Sequence, residues 1–290
     1  ASSSVTAVTN FVLRYKPAGD VSVGNTFAPT EAGDYTVTAE VWQANYTGTG
    51  STNFTITRRP LTVTANATNK IYQDNDPAFT YSTSGLVAGD NGALGGSLTR
   101  QPGNNAGKYA ILSNGLSVSP NYQLSFVSAD FEILPKPLGS SDFIFTPPSS
   151  LVYNGTPRTF VQALISGLVP SQAEYSGRNS TVYVSSSNAP TAAGDYTLTI
   201  TPMDSNYTGS GSTNFVVAKA PLSVTGISIQ DKEFDGTKTA TITGTATYVG
   251  LQGTDDFAVA GTPTAAFATP DVGAGKAVTV SGYAAPSANY

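Results

Sequence analysis

The sequence predicts an all-β protein built of tandem immunoglobulin-like β-sandwich modules arranged end to end, and three observations carry that reading. The first is an internal repeat. Ala28-Pro29-Thr30-Glu31-Ala32-Gly33-Asp34-Tyr35-Thr36 returns as Ala189-Pro190-Thr191-Ala192-Ala193-Gly194-Asp195-Tyr196-Thr197, and at a constant offset of 161 residues 22 of the 37 positions from 28 to 64 are identical. The second is composition: 39 Thr, 29 Gly, 18 Pro and 15 Tyr in 290 residues, with 11% charged, form a vocabulary of short strands and turns rather than helices. The third is the spacing of looser copies. Gly33, Gly107, Gly194 and Gly275 step by 74, 87 and 81 residues, and the Pro-Leu pairs at 60, 137 and 221 by 77 and 84, so the repeating unit is about 80 residues, enough for one small core.

Taken in order, residues 1–59 read as the C-terminal part of a module, because the later copy carries further residues ahead of the match between Tyr15 and Tyr175. Residues 60–136 read as a complete module of a second type. Leu61-Thr62-Val63-Thr64 alternates as its first strand, 70–77 is a strand ending in a turn, and a strand follows over 78–81. Residues 85–96 are a Gly-rich loop, 97–99 and 107–112 are strands, and one long strand runs from Gln123 through Leu134. Residues 137–220 form a complete module matching the first, with Tyr153-Asn154-Gly155 as a turn. Residues 221–290 are a further type, in which 240–249 alternates strictly and a last strand is still to come after Asn289-Tyr290.

The repeat has a physical grammar. Gly in Ala-Gly-Asp-Tyr is expected to take positive φ and turn the chain into a strand. The Tyr at that strand's start enters the core and returns its hydroxyl to upstream backbone, the logic of a tyrosine corner. Asn-Tyr followed by Gly reads as a turn with an aromatic anchor. The expected structural motif is therefore Gly33, Tyr35, Tyr46 and Phe54 in the first unit, Gly107, Tyr109 and Tyr122 in the second, Gly194, Tyr196, Tyr207 and Phe215 in the third, and Gly275 in the last. These aromatics recur with the module and so read as core anchors, whereas Trp42, opposite Met203 in the repeat, lies outside the pattern and reads as exposed.

The same residues limit the chemistry. With no His and no Cys, a Ser-His triad, a Cys nucleophile and a His/Cys zinc site are excluded. Asp231 with Asp235, Asp255 with Asp256 and Asp74 with Asp76 are carboxylate pairs suited in principle to glycoside hydrolysis, but their turn contexts favour Asx capping. Asp74-Asn75-Asp76 and Gly89-Asp90-Asn91-Gly92 offer oxygens to calcium without the full spacing of a calcium loop, so no cofactor or metal is expected. The Gly-rich stretches at 48–52 and 209–213 lack the Lys and the helix of a phosphate loop. Thr239, Thr241, Thr243, Thr245 and Thr247, with Thr197, Thr199 and Thr201, form ladders that read as solvent faces of half-buried strands and alternatively as a carbohydrate- or ice-binding surface. A net charge of −5 argues against nucleic acid or an anionic membrane, no apolar run approaches a membrane span, and the start at 1–4 is no signal peptide.

The Tyr/Phe-Asp/Asn-Gly turn, the Ala-Gly-Asp-Tyr-Thr strand start, the Asn-Tyr-Thr-Gly turn and the Lys-x-Pro-Leu joint resemble the MBG ("mostly beta, glycine-rich") modules of very large bacterial surface proteins. The last unit, with Phe234-Asp235-Gly236-Thr237 and Asp271-Val272-Gly273-Ala274-Gly275-Lys276, resembles the accompanying YDG module, with Phe in place of its first Tyr and Ala277 where the other units place Tyr. The resemblance implies a non-enzymatic stalk of an extracellular, filamentous-haemagglutinin-like adhesin, on the bacterial cell surface or secreted, whose partners are neighbouring modules and a glycan or another cell surface. An alternative is a filament subunit whose incomplete end modules complete each other between copies by strand complementation.

Overall fold

The computed structural model describes residues 9–167 and 169–290, so the start at 1–4 lies outside the described residues. Strand makes up 51% of the chain and helix 1%, so every core is built from sheet faces in sandwich-like modules. Contacts divide the chain into two compact units, 1–134 and 135–290.

The first unit opens with three antiparallel strands, β1 (Phe11–Pro17), β2 (Gly33–Gln43) and β3 (Tyr46–Ile56), in the order β1-β2-β3. Tyr35 lies opposite Phe54, and the two rings stack with centroids 5.6 Å apart. No described residue up to 59 is fully buried. Tyr46 is 39% exposed, which corrects its expected role as a core anchor. In the later copy Tyr207 packs beside Leu138 and the cluster of Phe143, Ile165 and Val169, and the described part of the first module has no such strands to cover Tyr46.

The second module contributes β4 (Arg59–Ala65), β5 (Thr68–Ile71), β6 (Tyr81–Ser84), β7 (Leu94–Gly96), β8 (Thr99–Arg100), β9 (Gly107–Leu112), β10 (Leu116–Val118), β11 (Tyr122–Val127) and β12 (Asp130–Leu134). They form a sheet β11-β4-β6, a sheet β5-β12-β9-β8 and a small ribbon β10-β7. Three expectations are corrected here. The strand expected at 78–81 begins at Tyr81, and Asn66 continues its pairing by one residue, donating its backbone N–H to Thr80 O at 2.9 Å and its side-chain amide to the Thr80 hydroxyl. The Gly-rich loop contains β7. The long strand to Leu134 is two strands in different sheets: the break falls at Ser128, whose hydroxyl donates to Ile111 O at 2.7 Å. β4 and β5 cross between the same two sheets alongside, so β11 pairs parallel with β4 and β12 parallel with β5. Alternate residues of these strands, Leu61, Val63, Phe131 and Ile133, are 0–1% exposed. Fully burying each such side chain is worth about 1.5–3 kcal/mol.

The second unit begins with β13 (Lys136–Pro137), a 3-10 turn (Ser140–Asp142), β14 (Phe143–Thr146), β15 (Gln162–Ile165), β16 (Ser171–Gly177), β17 (Gly194–Pro202), β18 (Tyr207–Thr208) and β19 (Gly211–Val217). The sheet β16-β17-β19 repeats β1-β2-β3, with Tyr196 opposite Phe215 as Tyr35 is opposite Phe54. Here the same aromatics are covered: Tyr175, Tyr196 and Phe215 are 3%, 1% and 6% exposed beneath Tyr153 and Phe160.

The last module is one sheet, β20 (Ser223–Gln230), β21 (Thr239–Val249), β22 (Ala260–Phe267) and β23 (Val278–Ala284), in that order. The alternation expected over 240–249 is present, with Ala240, Ile242, Ala246 and Tyr248 turned inward and the odd positions exposed. The pairing of β20 with β21 shifts register between Thr225 and Ile227, where Gly226 and Gly244 both take positive φ and lie close to the facing backbone.

Candidate functional site

Each Ala-Gly-x-Tyr segment builds the same corner. The hydroxyl of Tyr35 donates to Glu31 O at 3.0 Å, that of Tyr109 to Asn105 O at 2.7 Å and that of Tyr196 to Ala192 O at 2.9 Å, each reaching four residues upstream. The glycine's role differs from the expected one. Positive φ occurs at Gly107 and Gly275 but not at Gly33 or Gly194. What Gly194 supplies is room: a Cβ there would fall 2.8 Å from the Thr181 side chain and 3.2 Å from the Tyr196 hydroxyl. In the last module Ala277 replaces the corner Tyr, and Lys276 ties the loop instead, donating to Thr269 Oγ1 and Asp271 O.

These corners are where modules meet. In the first unit Asn121, just before Tyr122 of the second module, accepts from Ala32 N with its Oδ1 at 2.7 Å and donates with Nδ2 to the Glu31 carboxylate. In the second unit Asn289, just before Tyr290, accepts from Ala193 N with its Oδ1 at 2.9 Å. The backbone carbonyl of the same Asn accepts from the residue just before its module's Pro-Leu pair, Arg59 N and Ala220 N respectively, as Asn206 O accepts from Lys136 N, all at 2.8 Å. The tyrosine that follows is fixed by a second repeated device. Tyr122 Oη donates to Asp90 at 2.7 Å and accepts from Val87 N. Tyr290 Oη donates to Asp255 at 2.6 Å and accepts from Gln252 N. Tyr153 of the third module also donates to Asp255, at 2.8 Å, and its ring meets Tyr290 edge-on at 5.6 Å. Beside them Gly155 and Gly253, both at positive φ, bring their backbones together so closely that a Cβ on Gly155 would lie 3.1 Å from Gly253 Cα. Burial first, then the Asp255 carboxylate, holds the Tyr153 and Tyr290 hydroxyls above their usual pKa. For Tyr122 the hydrogen bond to Asp90 is the leading cause and burial the next.

Four of the carboxylates considered for catalysis or calcium, Asp76, Asp90, Asp235 and Asp255, are engaged in structure. Asp90 and Asp255 hold tyrosines. Asp76 pairs with Arg100 at 2.6 Å and Lys70 at 2.7 Å, Arg100 first and Lys70 after it lowering its pKa, and Arg100 in turn lies over the Tyr109 and Phe131 rings. Asp235 caps its turn through Thr237 N at 2.8 Å and is held down to about 2, chiefly by Lys232 at 2.7 Å. No group of metal-binding side chains occurs among the described residues. The five threonines of β21 are all exposed at alternate positions. Trp42 is 79% exposed and Met203 69%. Two cavities of about 700 and 690 Å³ both lie in the last module.

Residues 3–60 and 150–221 match the MBG domain, 61–132 the MBG domain (YGX type), and 217–290 the YDG domain. The chain is an array of MBG and YDG domains. No curated protein matches it. MBG and YDG domains are structural repeat modules of surface-associated proteins and are not known enzymes. Sequence reasoning missed that the Asn of Asn-Tyr crosses the MBG–YDG joint, and that Asp90 and Asp255 are one position. A signal existed: Gly85-Leu86 with Asp90 and Gly250-Leu251 with Asp255 recur at an offset of 165 residues.

Proposed function

We propose that this MBG–YDG array is a non-enzymatic stalk segment of an extracellular bacterial surface adhesin, spacing a binding region from the cell. The observation that carries the reading is the repeated joint: in both units an Asn side chain of one module caps the corner of the module before it. A carboxamide and a buried tyrosine fixed by an Asp restrict rotation between the partners better than a flexible linker, whose ends wander with the square root of its length. The acidic, low-charge surface, with net charge −5, suits exposure without adhesion to nucleic acid. The partners in this reading are further modules of the same grammar, with ligand recognition, of a glycan or another cell surface, carried elsewhere in the protein. The test is the intact mass of the native polypeptide, with negative-stain imaging of the same material. The reading expects a mass far above 29.8 kDa and thin unbranched molecules, whereas a mass near 29.8 kDa with regular filaments of many copies would replace it by a self-assembling subunit.

A further inference from the structure

Both outer edges of the YDG sheet are unpaired among the described residues: β20 bonds only β21, and β23 only β22. The second module shows what closes such edges. Three landmarks align the two. Pro60-Leu61 on β4 corresponds to Pro221-Leu222 leading into β20, Gly85-Leu86 after β6 to Gly250-Leu251 after β21, and Ala106-Gly107-Lys108 at β9 to Ala274-Gly275-Lys276 before β23. In the second module one continuous segment spans both edges. β11 runs parallel to β4, with Leu124 opposite Leu61 and Phe126 opposite Val63, and β12 then lies against β9.

The consequences for burial are large. Leu61, Val63, Phe131 and Ile133 are 0–1% exposed, whereas Leu222, Val224, Ile227 and Ile229 remain half-buried, and only Ala240, Ala265 and Tyr290 of residues 221–290 are buried. Between β21 and β22, which pair only at Thr239↔Ala266 and Ala240↔Ala265, a cavity of about 700 Å³ opens onto Ile227, Ile242, Ala246, Ala265 and Tyr283. Thr239, Thr245 and Thr264 line the same opening, which is a groove open to solvent on one side, and its aliphatic residues Ile227 and Ile242 lack the close packing of a protein interior. The entry point is already formed. Asn289-Tyr290 repeats the turn of Asn121-Tyr122, with Tyr290 N donating to Ser287 O as Tyr122 N does to Ser119 O, and Asn289 O receiving Ala220 N as Asn121 O receives Arg59 N.

We propose that the YDG module holds an acceptor groove for one further strand pair: an extended segment that runs on from Tyr290 parallel to β20, sets apolar side chains at its second and fourth positions opposite Leu222 and Val224, and crosses to the free edge of β23. The register follows from Tyr122 opposite Arg59 and Leu124 opposite Leu61. The inference rests on the two modules' geometry and stands whether or not the array serves as a stalk.

The test extends the full chain beyond Tyr290 with a copy of residues 123–134, and compares it with a tail of the same length in which Ser replaces the four residues copied from Leu124, Phe126, Phe131 and Ile133. The polar tail leaves the 290 residues intact and serves as the folded control. Hydrogen exchange by mass spectrometry should show amides of 223–230 and 278–284 slowed at least tenfold by the apolar tail and unchanged by the polar one. Equal exchange in all three chains would overturn the proposal. So would protection of 223–230 in the unextended chain that disappears on dilution, since a strand from a second copy would then be the occupant.

Discussion

Asp255 offers the sharpest test of whether the MBG–YDG joint is a fixed one, because it accepts hydroxyls from both sides: Tyr153 at 2.8 Å from the third module and Tyr290 at 2.6 Å from its own. Hydrogen bonds to a charged partner contribute about 1.5–3 kcal/mol, and leaving a buried partner unpaired costs about 1–3 kcal/mol. Tyr153→Phe removes one bond and leaves Asp255 still holding Tyr290, so a loss of about 1–2 kcal/mol is expected. Asp255→Ala orphans two hydroxyls on rings only 6% and 7% exposed, and should lose about 2–4 kcal/mol. In the double variant the Tyr153 bond cannot be lost twice, so its loss should fall short of the sum by about 1–2 kcal/mol. Urea unfolding of the full chain, read by hydrogen exchange on peptides from β17 and β21, measures all three on both sides of the joint. Additivity within about 0.5 kcal/mol would refute the claim that this contact couples the two modules.

Four further outcomes follow. Tyr122, Tyr153, Tyr175, Tyr196 and Tyr290 all have hydroxyl pKa values raised above 10. The stability they contribute is thus fully present below pH 10 and is lost as pH rises through 10 toward the folded values, so an alkaline melting series should fall there, and a flat profile to pH 12 would contradict the buried hydroxyls. Asp235 has the opposite sign: its carboxyl, held to about 2 against 3.8, stabilises the Phe234–Thr237 turn above pH 3.8 and loses that effect as pH falls toward 2. An NMR titration should show Lys232→Ala moving the Asp235 midpoint up. Gly211→Ala should destabilise by about 1–3 kcal/mol through overpacking, since its Cβ would fall 2.2 Å from the Phe143 ring; an unchanged melting temperature would show that β14 shifts freely. Arg158 is 8% exposed and its Nε has no hydrogen-bond partner, so Arg158→Met should leave stability unchanged or raise it in chemical denaturation, and a loss above about 2 kcal/mol would reveal a role the contacts do not show.

What was legible in the sequence is what depends on near neighbours. The Tyr35, Tyr109 and Tyr196 hydroxyls reach only four residues back, and the Asn154 and Asp235 side chains cap turns two residues on, so residue order alone implies both. The joint was not legible, because Ala193 to Asn289 and Tyr153 to Asp255 span 96 and 102 residues, and only packing decides which asparagine faces which corner. Asp90 and Asp255 carried oxygens that suit a metal or an acid as well as a tyrosine, and the sequence does not distinguish these until the ring is in place. The sheet crossing at Ser128 was hidden for a related reason: its β-forming neighbours favour one extended strand, and it is the turn of β4 into β5 alongside that makes the break. At Gly194 the need was space beside the Thr181 side chain and the Tyr196 hydroxyl, which a φ argument does not anticipate.

The proposed surface stalk is tested most directly by immunogold labelling of intact source cells with antibodies raised against this chain. The account predicts gold on unpermeabilised cells, set off from the envelope at distances that grow when further modules are inserted into the native protein. Gold found only after permeabilisation, or lying at the envelope regardless of module number, would contradict it.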